Sequence, residues 1–174
     1  MKLWQVGAIA GLMGFAAVPV LADNTEVLYR YKSWMVEGIT FDDGSIACLA
    51  EVTDPGESFS VWIFPDKTIR LQFYSADWDF GDSDTANLEV EIDHRSPWSL
   101  TNANLTKNSV LFDLPDQDES VNFVLEVAKG SNLHLRSESG EGIRDYSLAG
   151  SSSSIQNLID CGNSISGSTK NPFK

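Results

Sequence analysis

The densest group of side chains with ligating chemistry is the run DWDFGDSD, which places Asp77, Asp79, Asp82 and Asp84 within eight positions. Carboxylate oxygens at short spacing on a turn-rich segment are what calcium takes, so this run is a candidate for a calcium-stabilised module. It is not an EF-hand, because its glycine is displaced and no glutamate closes the loop at the required offset. Apart from that run, no metal site is expected. His94 and His134 are the only histidines, and with two cysteines far apart they have no zinc-ligand spacing. Asp93 adjoins His94, but neighbours in a strand point to opposite faces and do not make a catalytic pair. The serines 151 to 154 follow Gly150 without the strained glycine-serine-glycine elbow of a hydrolase and read as a helix start whose hydroxyls cap free amides. A carboxylate pair for glycan hydrolysis depends on separation in the fold, and among 25 acidic residues the sequence singles out none. Catalytic residues and cofactors are therefore not assigned. The remaining candidates are aromatic: Trp34, Trp62, Trp78 and Trp98 could stack on sugars or on a protein partner if exposed, or fill a core. Asn104, Leu105 and Thr106 match a glycosylation acceptor.

These residues have to be positioned by a chain rich in strand signals. Runs with a period of two fall at 27–36, 45–52, 58–65, 68–75, 87–93, 97–101 and 108–114, separated by turn formers such as Asp42-Asp43-Gly44 and Asp54-Pro55-Gly56. A helix is expected after Asp116, with Val121, Val124, Leu125 and Ala128 as its apolar stripe, acids Asp118 and Glu119 in its first turn, Lys129 in its last and Gly130 as its stop. Strands follow at 132–137 and 143–148, then a second helix from the serine run through Cys161, stopping at Gly162. The fold class is mainly β, an antiparallel sandwich with two short helices.

Residues 1–22 carry one lysine, an uncharged apolar stretch, Pro19 and small residues up to Ala22, the pattern of a signal peptide cleaved before Asp23. The domain organisation is then a leader at 1–22, one β-rich domain at 23–162 and a loose tail at 163–174. A periplasmic or secreted protein, with no stable membrane insertion after cleavage, is the expectation. In an oxidising compartment Cys48 and Cys161 would pair, closing a loop of roughly 114 residues, for which chain entropy gives at most about 4 to 5 kcal/mol.

The formal charge of −13 becomes −14 once the leader, with Lys2 its only charge, is removed. A nucleic-acid partner is excluded, because displacing counterions from a polyanion needs clustered cations and the longest cluster here is Arg30-Tyr31-Lys32.

The order YKSWMVEG, IACLAEV, FYSADWDF and finally YSLAGSSSSIQNLIDC resembles that of small exported bacterial proteins that include the invasion-associated locus B family. The likeness spans residues 28 to 162, and its specific part is Tyr146 to Cys161. It departs from that family at Glu37 and Gly38, where a further cysteine is expected. The resemblance implies a non-enzymatic, β-rich envelope protein. The expected function is an exported, non-catalytic binding or accessory protein acting on a protein or glycan partner. The alternatives are a small envelope glycan hydrolase, an inhibitor of an exported enzyme, or the calcium-stabilised module.

Overall fold

The computed structural model describes residues 24–115 and 117–166. The leader at 1–22, Asp116 and residues 167–174 of the expected tail lie outside the described residues.

Alternation of apolar and polar side chains builds ten strands: β1 (Asn24–Tyr31), β2 (Trp34–Thr40), β3 (Ile46–Asp54), β4 (Glu57–Ile63), β5 (Ile69–Ser75), β6 (Asp84–Ile92), β7 (Trp98–Thr106), β8 (Ser109–Asp113), β9 (Asn132–Ser137) and β10 (Gly142–Ser147). Helix α1 (Gln117–Lys129) sits between β8 and β9, and α2 (Ser151–Ile165) follows β10. The strands form one sheet in the order β1-β2-β3-β4-β5-β8-β7-β6-β9-β10, and the register of every pair is antiparallel. The fold is mainly antiparallel β with two helices. The two layers belong to a single sheet that folds over on itself. Tyr146 on β10 lies 5.9 Å, centroid to centroid, from both Phe59 on β4 and Phe73 on β5, although β4 and β10 are six places apart in the sheet order.

The inner face carries Val36, Ala50, Phe59, Val61, Leu71, Phe73, Val90 and Leu135, all buried. Helix α2 covers this face over β1 to β4, and Cys48 on β3 is bonded to Cys161 on α2 with Cα atoms 6.0 Å apart. Among the described residues no cysteine is free.

Several local expectations are corrected. The run 27–36 is two strands, because Lys32 takes a left-handed φ of 55° and the chain reverses between Tyr31 and Trp34. The strand expected at 97–101 continues to Thr106, past a register shift near Asn102, whose φ is 59°. The stripe of α1 is rotated: Ser120, Phe123, Val124 and Val127 are buried, while Val121 and Leu125 are exposed at 53% and 40%. Phe123, packed edge-on against Trp98, sets that rotation. The serines do not cap amides. Gly150, at φ 106°, is the N-cap of α2 and makes no side-chain cap bond. The hydroxyls donate instead to carbonyls, Ser151 to Val127 O at 2.8 Å and Ser153 and Ser154 to Gly150 O. Gly162 does not end α2, which continues to Ile165, so residues 163–165 are helical. A Cβ at 162 would stand 2.8 Å from Ile63 Cγ2, so this glycine is what lets the helix close on β4.

Candidate functional site

The four tryptophans are placed in four environments. Trp34, at the start of β2, is 1% exposed and packs edge-on against Phe59, inside the core and unable to meet a partner. Trp98, half-buried at the start of β7, donates from Nε1 to Glu126 Oε2 at 2.9 Å, and Arg95 is 3.5 Å from the same carboxylate. Together they line an open depression of about 640 Å³ beside α1. Trp78, in the turn after β5, is half-buried against Phe80, holds the Arg144 guanidinium over its ring at 5.7 Å, and accepts through its carbonyl a hydrogen bond from Asn108. Trp62 alone of the four stands on the outer face of the sheet.

That face follows from register, since residues directly opposite on antiparallel neighbours point the same way. Val61 faces the core, so Trp62 faces out. Its cross-strand row runs Glu37, Leu49, Trp62, Arg70, Asp113 over β2, β3, β4, β5 and β8. The next row is Met35, Glu51, Ser60, Gln72, Leu111 and, on β7, Asn104. Tyr74, exposed at 36%, stands two positions beyond Gln72 on the same face. Among the described residues no helix crosses these rows: α2 lies on the opposite side, where Cys48 and Ile63 meet it.

The outer face is organised by its own bonds. Trp62 Nε1 donates to Gln72 Oε1 at 3.0 Å, and Gln72 Nε2 donates to Ser109 Oγ at 3.1 Å. The indole lies nearly parallel to Phe41 and Phe64, at interplanar angles of 24° and 11° and centroid distances of 6.5 and 6.3 Å. Arg70 forms a two-pronged bond with Asp113, at 2.6 and 3.0 Å, and stacks over Phe64 at 5.3 Å. This carboxylate raises the guanidinium further above its ordinary range. Ser60 donates to Glu51 Oε1 at 3.0 Å. Burial first and the Glu51 carboxylate second hold the Glu37 carboxyl above its usual range, with Arg30 opposing them. Two open depressions flank the Trp62–Arg70 and Gln72–Leu111 pairs: one of about 450 Å³ between Glu51 and Tyr74, the other of about 430 Å³ between Arg70 and Asn104.

The acidic run does not converge. Asp77 projects to solvent and lies 3.6 Å from Arg144, Asp79 accepts from Gly81 N, Asp84 accepts from Thr85 N at the start of β6, and the Asp82 carbonyl accepts from Thr106. Among the described residues no three His, Cys, Asp or Glu side chains come together as metal ligands. His94 is fully exposed, and His134 pairs with Asp145 across the β9–β10 hairpin. Among the sequence candidates Trp62 meets polar and aromatic groups on the outer sheet face, while Trp78 meets Phe80 and Arg144 in the turn after β5 and Trp98 meets Phe123, Glu126 and Arg95 beside α1. The sequence pattern does not single out Gln72, Arg70, Asp113 or Tyr74, and the signal that finds them is strand parity counted from Trp62.

No family model, curated protein or solved structure matches the chain. Among the described residues no helix is long and apolar enough to cross a membrane.

Proposed function

We propose that the protein is an exported, non-catalytic binding or accessory protein of the bacterial envelope, and that it recognises its partner with the outer face of β3, β4, β5 and β8. The observation that carries this reading is Trp62, held by Gln72 and flanked by Phe41 and Phe64 on a sheet face that neither helix covers. An aromatic fixed in place on an open polar face loses little conformational entropy on binding. Export is supported by the leader-like residues 1–22, by the Cys48–Cys161 disulfide and by the resemblance of the YSLAGSSSSIQNLIDC ending to exported envelope proteins.

Capture from envelope extract by immobilised wild-type protein, by Trp62→Ala and by Trp78→Ala tests the reading. The expected result is a partner retained by wild type and Trp78→Ala and lost from Trp62→Ala. Retention of nothing above background under several conditions, or equal retention by all three proteins, would overturn it.

A further inference from the structure

We propose that β1 pairs edge to edge and antiparallel with β1 of a second copy of this chain, closing a two-fold dimer. This pairing does not depend on what the outer face around Trp62 does.

The ten strands make one open ribbon, so among the described residues β1 and β10 each have a strand neighbour on one side only. A strand in that position carries backbone N–H and C=O groups that its single neighbour leaves unpaired, and the partner that satisfies them is another extended chain. The two ends differ in their side chains. Among the described residues six large hydrophobics are exposed: Val27 at 44%, Leu28 at 45% and Tyr31 at 48% lie on β1, and none lies on β10. Of the eight residues of β1 only Tyr29 is half-buried and the rest are exposed. An open strand edge with that apolar load is a site of association.

Charge decides the direction. Glu26 stands in the first half of β1 and Arg30 near its end, with Lys32 in the turn that follows. Antiparallel self-pairing sets the basic end of each copy beside the acidic half of the other, whereas parallel self-pairing would set Arg30 beside Arg30. Arg30 is also attracted by Glu37 of its own β2, so the charge pairing is best probed at Glu26.

Parity decides the register. Tyr29 and Tyr31 stand opposite Val36 and Trp34, which enter the core, while Val27 stands opposite Glu37 of the outer row. The register shift between Val27 and Tyr29 leaves Leu28 as the extra residue of a bulge. With Val27 on the two-fold axis and Leu28 bulged in both copies, every pair keeps its face: Val27 meets Val27, Glu26 meets Tyr29, and Arg30 meets Thr25 with Glu26 next to it. The bulge and the charges deter other strands from adding. Pairing β1 with β1 uses that edge in both copies at once, so the assembly stops at two.

Sedimentation equilibrium of the purified, disulfide-bonded protein tests this, at about 0.15 M salt, where repulsion between two chains of charge −13 is screened beyond about 8 Å. One strand pair buries less than the roughly 1,200 Å² at which stable interfaces begin, so a weak dimer is expected, with a dissociation constant of about 10 μM to 1 mM. Val27→Asp, which sets like charges against each other on the axis, should weaken dimerisation about tenfold or more. Glu26→Arg should weaken it several-fold, and Val121→Asp, on the exposed side of α1, should leave it unchanged. All three positions are exposed, so the variants should melt near wild type. Amide hydrogen exchange of wild type gives a second readout, because β1 amides should exchange more slowly where the dimer forms than where it does not. A contact through side chains alone does not give that protection. Monomer mass throughout the concentration range, a dimer that Val27→Asp leaves intact, association that grows past two, or β1 amides indifferent to concentration would overturn the proposal.

Discussion

Trp34 and Trp62 lie on neighbouring parts of one sheet and have opposite fates. Trp34 points inward from β2, meets Phe59 edge-on and is sealed by α2. Trp62 points outward from β4, donates to Gln72 and lies nearly parallel to Phe41 and Phe64. The whole of β4 repeats this division: Phe59, Val61 and Ile63 enter the core, while Ser58, Ser60 and Trp62 point to the opposite face, where both serines are buried and Trp62 is half-buried. Period-two geometry thus makes two products from one strand, a hydrophobic face turned to the core and a polar-aromatic face turned away from it. The inner face is covered by a helix that a covalent bond pins in place, whereas the outer face is ordered by side-chain hydrogen bonds, the Arg70–Asp113 ion pair and aromatic contacts.

The strongest way to break this division is to release the cover. Removing the bond in the double variant Cys48→Ser, Cys161→Ser should lower stability by up to about 4 to 5 kcal/mol, the chain-entropy figure for a loop of this size. Its residues are 113 apart in sequence. Chemical denaturation should show the lower midpoint, and dye binding should report exposed apolar surface below the transition. An unchanged midpoint would mean that α2 holds the inner face without help from the bond.

A paired substitution sharpens the comparison directly. Trp34→Ala should cost about 3 to 5 kcal/mol, as for other large aromatic truncations in a packed core. Trp62→Ala should cost only about 1 kcal/mol, because its ring is half-solvated and its main loss is one hydrogen bond. Equal losses in urea titrations would show that the outer aromatic row is part of the structural core, and the recognition reading would lose its basis.

The sequence carries the division between faces only in part. Alternation locates β3, β4 and β5, and the β-rich class follows from it. What alternation cannot supply is which parity faces inward, and that is decided by register with strands far along the chain, such as Ser109 of β8 beside Tyr74 of β5. Gln72 and Arg70 look like ordinary exposed strand residues until that register puts them beside Trp62 and Asp113. The turn at Lys32 and Ser33 has no Gly, Asn or Asp, so nothing local announces the reversal between β1 and β2. Gly162 has the same type as a helix stop, and its true constraint, Ile63 pressed against it, lies 99 residues upstream. The buried stripe of α1 passes through Ser120, a polar residue that an apolar period skips, which is why that period points Val121 and Leu125 inward.

The smallest expected effect concerns a junction at the edge of the inner layer. Asp93, in the turn after β6, accepts hydrogen bonds through Oδ1 from the backbone N–H groups of Asn132 and Ser131, both at 3.0 Å. These bonds hold its carboxyl below the ordinary carboxylate range, with the bond from Asn132 contributing most. A pKa lower in the folded state than in the unfolded chain gives stability that is complete above the unfolded value, about 4, and is lost as pH falls through the folded one. Asp93→Asn keeps a residue type that tolerates the left-handed φ of 54° and keeps an oxygen acceptor, but it removes the charge. Wild type should therefore melt slightly higher than Asp93→Asn from neutral pH down to about pH 5, and the two curves should converge below the unfolded carboxylate range, about 4. Curves that stay parallel into acid would mean that the junction depends on the shape of the side chain and not on its ionisation.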